Sequence, residues 1–385
     1  MPYSQGNFTW GRSYSWGTAR SSFARMFAPL TMRTTGWILL ALVVVITAAS
    51  LVNKQRWWIR MFDLPRAQLI VLGVLAIMLF AVSGPLREPE LAALFLLAIS
   101  MIHQGRKVFP YTPLAPVMSI RGVPKSEQDR LSLIAANVLG PNRDVAAFLR
   151  VVEQHDPDLV LTLESDAWWE AALEPLERTR PHTIKVPLDN LYGMHLFSRF
   201  PLTNTEVRYL VEDDVPSIRT TLTLPSGATV LVYGVHPRPP APGENRTAKE
   251  RDAELLLVAR EIEEAPCTTF VAGDLNDVAW STTSDLFRKT SGLLDPRRGR
   301  GFYNTFHAKV PLFRWPLDHI FHSEDLVLLD LKRLPPCGSD HFPMYIAMEY
   351  RPLVNNGDTP EPLSPDEDEE VDEKIAEGKA HAGKG

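Results

Sequence analysis

"CTTFVAGDLND", residues Cys267 to Asp277, decides how the second half of this chain is read. A run rich in β-branched and aromatic residues closes on Gly273, then on a carboxylate and an amide, Asp274 and Asn276. Side chains alternate along a strand, so residues two apart project to one side if the strand geometry continues. Gly273 leaves room for a ligand to approach the backbone closely. An Asx-type turn that only closes the strand accounts for the same letters equally well. Repetition tips the reading toward function. "LSLIAANVL" (Leu131 to Leu139) runs into Asn137, "LVLTLE" (Leu159 to Glu164) ends on Glu164, and "ATVLVYGVH" (Ala228 to His236) ends on His236. In open α/β sheets, polar side chains just beyond the strand C-termini collect on one rim, where ligands bind.

Amphipathic stretches lie between these runs. Val145, Phe148, Leu149 and Val152 recur at helical spacing, with Asp144 as N-cap and Pro157 near the end. A charged helix is expected over residues 246–264. Short apolar runs alternating with such stretches predict an α/β domain over residues 126–350.

Two further motifs carry charge. "PLDHIF" sets Asp318 inside an apolar strand, where an unpartnered carboxylate would cost several kcal/mol. Asp318 therefore has a partner or faces a site, while His319 points to the opposite face and is read as structural. "CGSDHFPMY" places Ser339, Asp340 and His341 side by side. Consecutive side chains in extended backbone alternate and cannot relay a proton in series, and the chain has no Gly-x-Ser-x-Gly elbow. Ser339 is thus assigned to a turn rather than to a serine triad. Glu164, Asp274, Asp318 and Asp340 would instead put four carboxylates on one rim, where repulsion raises their pKa values unless a cation intervenes. Oxygen donors of this kind suit Mg²⁺ or Mn²⁺. His236 and His341 are then left as acid, base or phosphate donors, a set that describes metal-assisted phosphoester hydrolysis.

"NVL", "LTLES", "GVHP", "AGDLND", "LDHIF" and "GSDHFP", in this order, resemble the endonuclease/exonuclease/phosphatase superfamily, the deoxyribonuclease I-like phosphoesterases. The likeness covers roughly Leu131 to Glu349. It implies an α/β (α+β) fold, a four-layer sandwich of two central mixed sheets flanked by helices. It also implies roles. Glu164 resembles the main metal ligand, with Asp340 and Asn137 assisting at the metal or phosphate. Asp274 resembles the residue that orients or deprotonates water, and Asn276 its phosphate-binding neighbour. His341 resembles the catalytic histidine, oriented by Asp318, and His236 the second histidine on the scissile phosphate. Where some relatives carry a carboxylate two residues after the asparagine, this chain has Leu139, which puts a second metal position in doubt. Arg238, Arg297, Arg298 and Arg300 lie in loop-like stretches near the expected rim, either as phosphate binders or as solvated loop residues.

The first third is different in kind. "WILLALVVVITAASLV" (Trp37 to Val52) and "AQLIVLGVLAIMLFAVS" (Ala67 to Ser83) carry no charge. Each approaches the ~20 apolar residues that cross a ~30 Å hydrocarbon layer. "LAALFLLAISMI" (Leu91 to Ile102) is shorter and is read as a third span, with a re-entrant segment or a buried helix as the other readings. A signal peptide explains the first run poorly, because further apolar runs follow and no small-residue cleavage pattern is evident. The expectation is an unstructured, cytoplasmic-type segment over residues 1–35 and an anchor over residues 36–107 with helices at 37–52, 67–83 and 89–103. Arg12, Arg20, Arg25 and Arg33 favour a cytoplasmic N-terminus, yet Lys54, Arg56, Arg60 and Arg66 match them in the first loop. The residues leave the side of the domain open. Resemblance to a membrane-anchored bacterial branch implies the plasma (inner) membrane with the catalytic domain on the external, periplasmic side.

Net charge is −6, so no whole-protein basic field argues for nucleic acid. Two cysteines, Cys267 and Cys337, are too few for a disulfide framework and read as free thiols, although a single bridge is compatible with the sequence. The end of the chain, residues 353–385, is proline-spaced and then acidic, and is expected to be a disordered tail. The expected function is a membrane-anchored, Mg²⁺-dependent phosphoesterase (Mn²⁺ as an alternative ion). It would hydrolyse a nucleic-acid, lipid or sugar phosphodiester by in-line attack of water, with the bilayer as its other partner and no obligate protein partner. The alternative is a catalytically inactive, membrane-tethered binding module with the same fold.

Overall fold

A computed structural model describes residues 16–52, 54–352 and 360–382, with side chains from residue 31 onward. It contains two compact units, Met1–Ala48 with Ala67–Gln104, and Ala49–Arg66 with Gly105–Gly385. The helices that precede the sheets are α1 (Trp16–Ser50), α2 (Trp57–Arg60), α3 (Arg66–Val82) and α4 (Glu88–Val108). Most of α1, α3 and α4 forms the first unit. Leu40, Val43, Leu69, Phe80 and Leu97 are its buried contacts, and Gly36 lets the Phe80 ring approach to 3.3 Å from where a Cβ would stand. Small residues of this kind allow apolar helices to pack closely. A buried hydrogen bond from Gln104 to Thr47 (2.9 Å) and an Arg33–Glu90 ion pair (2.9 Å) join the same helices.

Thr31–Ser50 and Glu88–Tyr111 are long and apolar enough to cross a membrane. The expected ranking of the apolar runs is therefore altered. The run read with alternatives, at residues 89–103, qualifies, whereas that at 67–83 does not do so alone. With 17 residues, α3 is about 25 Å long at the helical rise, short of the ~30 Å hydrocarbon core. It makes a third span only if joined to Trp57–Asp63 across the break at Pro65. Helix α1 begins at Trp16, inside the segment expected to be unstructured, and residues 1–15 lie outside the described residues.

The second unit begins β1 (Arg130–Asn137), α5 (Val145–His155), β2 (Leu159–Leu163), α6 (Ala167–Ala172), β3 (His182–Val186) and β4 (Met194–Ser198). It continues through β5 (Leu202–Arg208), β6 (Ser217–Thr223), β7 (Thr229–Gly234), α7 (Lys249–Glu264), β8 (Thr269–Asp274) and α8 (Thr282–Ser291). β9 (Asp318–His322), β10 (Leu326–Arg333), β11 (Met344–Tyr350) and α9 (Pro365–Ala382) complete it. Helix α5 starts on Asp144, whose carboxylate accepts from Ala147 N, and stops at left-handed Asp156, just before Pro157.

The strands form two mixed sheets, ordered β10-β11-β1-β2-β4-β3 and β5-β6-β7-β8-β9. Each has one parallel pair, β1 with β2 and β7 with β8, joined by the crossover helices α5 and α7. Alternation along the strands sorts the side chains into layers. Leu133, Leu161 and Leu196 meet Ile218, Val232, Phe270 and Ile320 between the sheets. The intervening residues Ile134, Ala136 and Phe197 face α5 and α6 through Phe148, Val152 and Trp169. On the other side Tyr233, Val271 and Phe321 pack on Leu255, Val258 and Phe287 of α7 and α8. Each fully buried aliphatic or aromatic side chain contributes about 1.5–3 kcal/mol, so both faces of both sheets are held. This is the four-layer sandwich the motifs implied.

The acidic tail departs from expectation. Residues 365–382 are helical and pack on α7. Ser364 and Glu367 form a reciprocal capping box: Glu367 N donates to Ser364 Oγ (3.3 Å) and Ser364 N to Glu367 Oε2 (3.0 Å). Val371 is fully buried, and Lys374 bonds Asp252 at 3.0 Å in a buried pair. Arg260 bridges to Asp368 and Asp372. The acidic residues order because α7 presents cations to them, which composition alone does not reveal. Both cysteines are free, Cys337 buried and Cys267 exposed.

Two buried histidines on β9 make stability depend on pH. Burial, then the neighbouring Arg297 charge, pulls His319 down to about 3. Burial likewise pulls His322 to about 4. Both rings are neutral in the fold and titrate near 6.5 when unfolded. Their stabilisation is complete above pH 6.5 and is lost as pH falls toward 4 and then 3. Denaturant melts of the protein are expected to lose up to about 1.4 kcal/mol per pH unit per histidine in that window. A flat stability profile between pH 6.5 and 4 would contradict neutral burial of these rings.

Candidate active site

The two parallel pairs deliver their C-terminal ends to one place. β1 ends in Asn137 and β2 leads into Glu164. β7 leads into His236, and β8 ends in Asp274. Strand β9 runs antiparallel to β8 in a register that sets Asp318 opposite Asp274, and His341 lies just before β11. Every one of these side chains except half-buried Glu164 is less than a tenth exposed.

Asp274 Oδ2 is the focus. Asn137 Nδ2 donates to it at 3.1 Å, His341 Nε2 lies 3.4 Å away and His236 Nε2 3.9 Å away. The Asn137 amide also donates to Glu164 Oε1 at 2.7 Å, tying the two sheets' carboxylates together. Asp274 Oδ1 accepts from Asn276 N at 3.0 Å. His341 Nδ1 meets Asp318 Oδ2 at 2.8 Å, and Asp318 N is held by Thr305 Oγ1 at 3.2 Å. Glu164 and Asn276 sit at φ 59° and 50°, in the left-handed region that non-glycine residues seldom occupy. Such backbone strain persists where surrounding structure over-determines it.

Burial disfavours a charged His341, but the carboxylates of Asp318 and Asp274 outweigh it and push the ring well above the usual histidine range. Burial likewise works against an ionised Asp274, and His341 and His236 overcome it, so Asp274 is held below the usual carboxylate range. One proton thus resides on the imidazole between two carboxylates. His236 is different: burial draws it down to about 4, and its Nδ1 has no hydrogen-bond partner.

Glu164 tests whether a cation suits this rim. Burial lifts it to about 7 against the amide hydrogen bonds of Asn137 and Gly140, and no Lys or Arg is paired with it among the described residues. A carboxylate raised by burial and lacking a cationic partner, beside a second carboxylate and an amide, fits a hard divalent ion.

The strand-end residues Asn137, Glu164, His236, Asp274, Asp318 and His341 are therefore brought together. Asp340 and Asn276 stand apart. Asp340 is half-buried, its carboxylate accepts from Ser339 Oγ at 3.4 Å, and its backbone carbonyl takes Ala308 N at 2.6 Å. Among the described residues no hydrogen bond joins it to Glu164, and the tight cluster of potential ligands is Asp274, Asp318 and His341. Asn137 offers its nitrogen to the carboxylates while its oxygen accepts from Leu139 N. The Asn276 side chain donates to Pro237 O at 3.0 Å and so fastens the loop that carries His236. Gly273 does not admit a ligand: a Cβ there would lie 1.8 Å from Val235 O, so the glycine admits the end of β7 instead. Ser339 Oγ accepts from His341 N at 3.0 Å, shaping the turn.

The arginines are committed elsewhere. Arg238 is gripped by Glu212, Asp214 and Glu244 and stacks on Tyr192. Arg297 is buried with both guanidinium edges used by Asp295, Asp318 O and His319. Arg300 bonds the carbonyls of Pro296 and Ser119. Arg298 lies 3.9 Å from Asp285 and over the Tyr111 ring. Sequence reading missed three residues at the centre. Gly140 N donates to Glu164 Oε2 (3.2 Å), Phe306 packs on His341 and Tyr192 on His236. The glycine after "NVL" was a visible signal for the first, whereas the two aromatics lie in loops without periodicity.

Solved structures with similar folds include D. rerio TDP2 complexed with a single-strand DNA product (18% identity, TM-score 0.49), covering 57% of this chain and 99% of that one. The human Nocturnin catalytic domain with bound sulfate (18%, 0.48) covers 63% and 99%. An endonuclease/exonuclease/phosphatase from Beutenbergia cavernae (16%, 0.45) covers 58% and 72%. At such low identity none of these likenesses specifies a substrate. No curated protein sequence matches the chain. A family model, in contrast, aligns with residues 134–341, more than half of the chain, from within β1 to His341. By that match the chain belongs to the endonuclease/exonuclease/phosphatase family, hydrolases acting on phosphoester bonds.

Proposed function

We propose that this protein is a membrane-anchored phosphodiesterase that uses a divalent cation and attacks the phosphorus in line with water. The observation that carries the proposal is the convergence of Asn137, His341 and His236 on one oxygen of Asp274. An ionised Asp274 accepts a hydrogen bond from water, orients it and takes its proton as the new P–O bond forms. His341, held by Asp318, donates toward a phosphoryl oxygen whose charge grows in the transition state. Neutral His236 supplies a second donor, and Asn276 keeps its loop in place. Mg²⁺ or Mn²⁺ would be held at Glu164, whose carboxylate the Asn137 amide orients, and would supply Lewis-acid charge to the phosphate.

The pairing of Arg238, Arg297 and Arg300 inside the protein favours a compact lipid or sugar phosphodiester over a nucleic acid. A polyanion needs a track of available cations to neutralise successive phosphates, and these loops do not provide it. For topology, we propose an N-terminus inside and three spans in the plasma (inner) membrane, with the domain outside. Two spans would return it to the N-terminal side. Reporter fusions after Lys107 distinguish these outcomes.

The function is tested with the full chain in detergent on bis-p-nitrophenyl phosphate, DNA, RNA, phospholipid and sugar phosphates. Turnover is expected with Mg²⁺ or Mn²⁺, absent with chelator and restored on re-addition of the ion. Chelator-resistant turnover would remove the cation from the reading, and no turnover of any diester would favour the inactive binding module.

A further inference from the structure

A cavity of about 600 Å³, apart from the active site, lies within the sheet-bearing unit where the chain leaves α4. None of the active-site residues lines it. Its walls include Arg106, Lys107, Arg288, Lys289 and Arg298, against the two acids Asp285 and Glu361. Some of this charge is internally matched: Arg288 bonds Asp285 at 2.7 Å, Lys289 pairs with Glu367, and Arg298 lies 3.9 Å from Asp285. The remainder is available. Arg106 and Lys107 have no ion-pair or hydrogen-bond partner among the described residues. Arg288 is 6% exposed, yet its Nε finds no acceptor.

Position identifies the kind of anion. Arg106 and Lys107 belong to the last turn of α4, and the stretch that qualifies as a membrane span runs on through Tyr111. At and beyond its end, apolar side chains stay in the open: Phe109 is 49% exposed, Leu114 84% and Val117 46%. Phe109 and Val117 also line the cavity, and Trp280 forms part of its wall. Basic groups beside exposed apolar and aromatic residues at a span's end match a membrane interface, where acyl chains meet the latter and headgroups the former.

We propose that this cavity binds the phosphate-bearing headgroup of an anionic lipid. Arg106, Lys107 and Arg288 would meet the phosphate, and Phe109 and Val117 the start of the acyl chains. The proposal rests on reading Glu88–Tyr111 as a membrane span. It is independent of the phosphodiesterase chemistry, because the ligand here is held and not hydrolysed.

The test is a titration of the full chain, in neutral detergent, with dihexanoyl phosphatidylglycerol, followed by isothermal calorimetry. Dihexanoyl phosphatidylcholine and inorganic phosphate form the parallel arms. Chelator is present throughout to silence turnover. Saturable binding of phosphatidylglycerol is expected, with weaker binding in both other arms. Arg106→Gln with Lys107→Gln should weaken it by about twenty-five-fold, from roughly a fivefold loss at each site. Arg106→Lys with Lys107→Arg should retain it, and all these variants should turn over soluble diester at the wild-type rate. Equal binding of the two lipids, or unchanged affinity in the glutamine variant, would overturn the site. Inorganic phosphate binding as tightly as phosphatidylglycerol would overturn its assignment to lipid. Retention of the chain in membranes after alkaline carbonate washing reads the span separately, so loss of the anchor and loss of the headgroup site are distinct results.

Discussion

His341→Ala is expected to lower kcat for diester hydrolysis by about 10²–10⁴-fold, with KM little changed. His341 sits between two carboxylates, 2.8 Å from Asp318 and 3.4 Å from Asp274. Of the two histidines there, it is the one whose ring the neighbouring carboxylates hold protonated, ready to present a proton to developing phosphoryl charge. Alanine removes that donor and leaves both buried carboxylates facing each other without the cation that separates them. Asp318→Asn tests the arrangement from behind. The amide cannot hold the imidazolium as a carboxylate does, so kcat is expected to fall although the ring remains. Asp318 touches no substrate in this scheme and acts by positioning. Both variants are to be compared at matched folded fraction, with circular dichroism as the check. Wild-type kcat in folded His341→Ala protein would move the acid to another residue, with His236 the next candidate.

Arg297→Ala is expected to destabilise the protein by about 3–5 kcal/mol. The guanidinium is 1% exposed and makes a two-pronged pair with Asp295 at 3.0 and 2.8 Å. Its remaining edge donates to Asp318 O at 3.0 Å and to His319 Nδ1 at 2.9 Å. That last bond places the His319 proton on Nε2, which donates to Asp277 O at 2.9 Å. Truncation strands the Asp295 carboxylate in the interior and frees the backbone that carries Asp318. Arg297→Lys retains the charge but not the planar fork, so it should recover only part of the loss. Denaturant unfolding measures the effect. A substrate-binding arginine would instead raise KM at unchanged stability, and that outcome would return Arg297 to the rim.

These two residues mark the limit of what local pattern conveys. His341 was legible because its strand, turn and neighbours form a short contiguous motif, and Asp318 because a lone charge in an apolar strand demands a partner. Arg297 lies in an equally polar stretch, "DPRRGR", where nothing in the letters distinguishes a solvated arginine from one sealed under β9. Gly273 was recognised as a point of close approach, but the approaching group is the Val235 carbonyl. In the tail, the Ser364–Glu367 capping box was visible in "SPDE", yet acidic composition pointed to disorder. The cations that order it, Lys249, Arg260 and Lys289, lie more than a hundred residues away for Arg260 and are supplied by α7 and α8.

The sequence by itself determined which polar residues terminate which strands, where the apolar helices lie, and that oxygen and imidazole donors predominate on the rim. Periodicity and strand ends are properties of windows of a few residues, so each can be read without knowing what packs against it. Tertiary structure alone decided that Asn137 and Asp274, 137 residues apart, share a hydrogen bond. It also decided that antiparallel β9 sets Asp318 opposite Asp274. Those contacts arise from the face-to-face closure of two sheets, which brings the ends of two separate parallel pairs to one point. No local pattern carries the register of that closure.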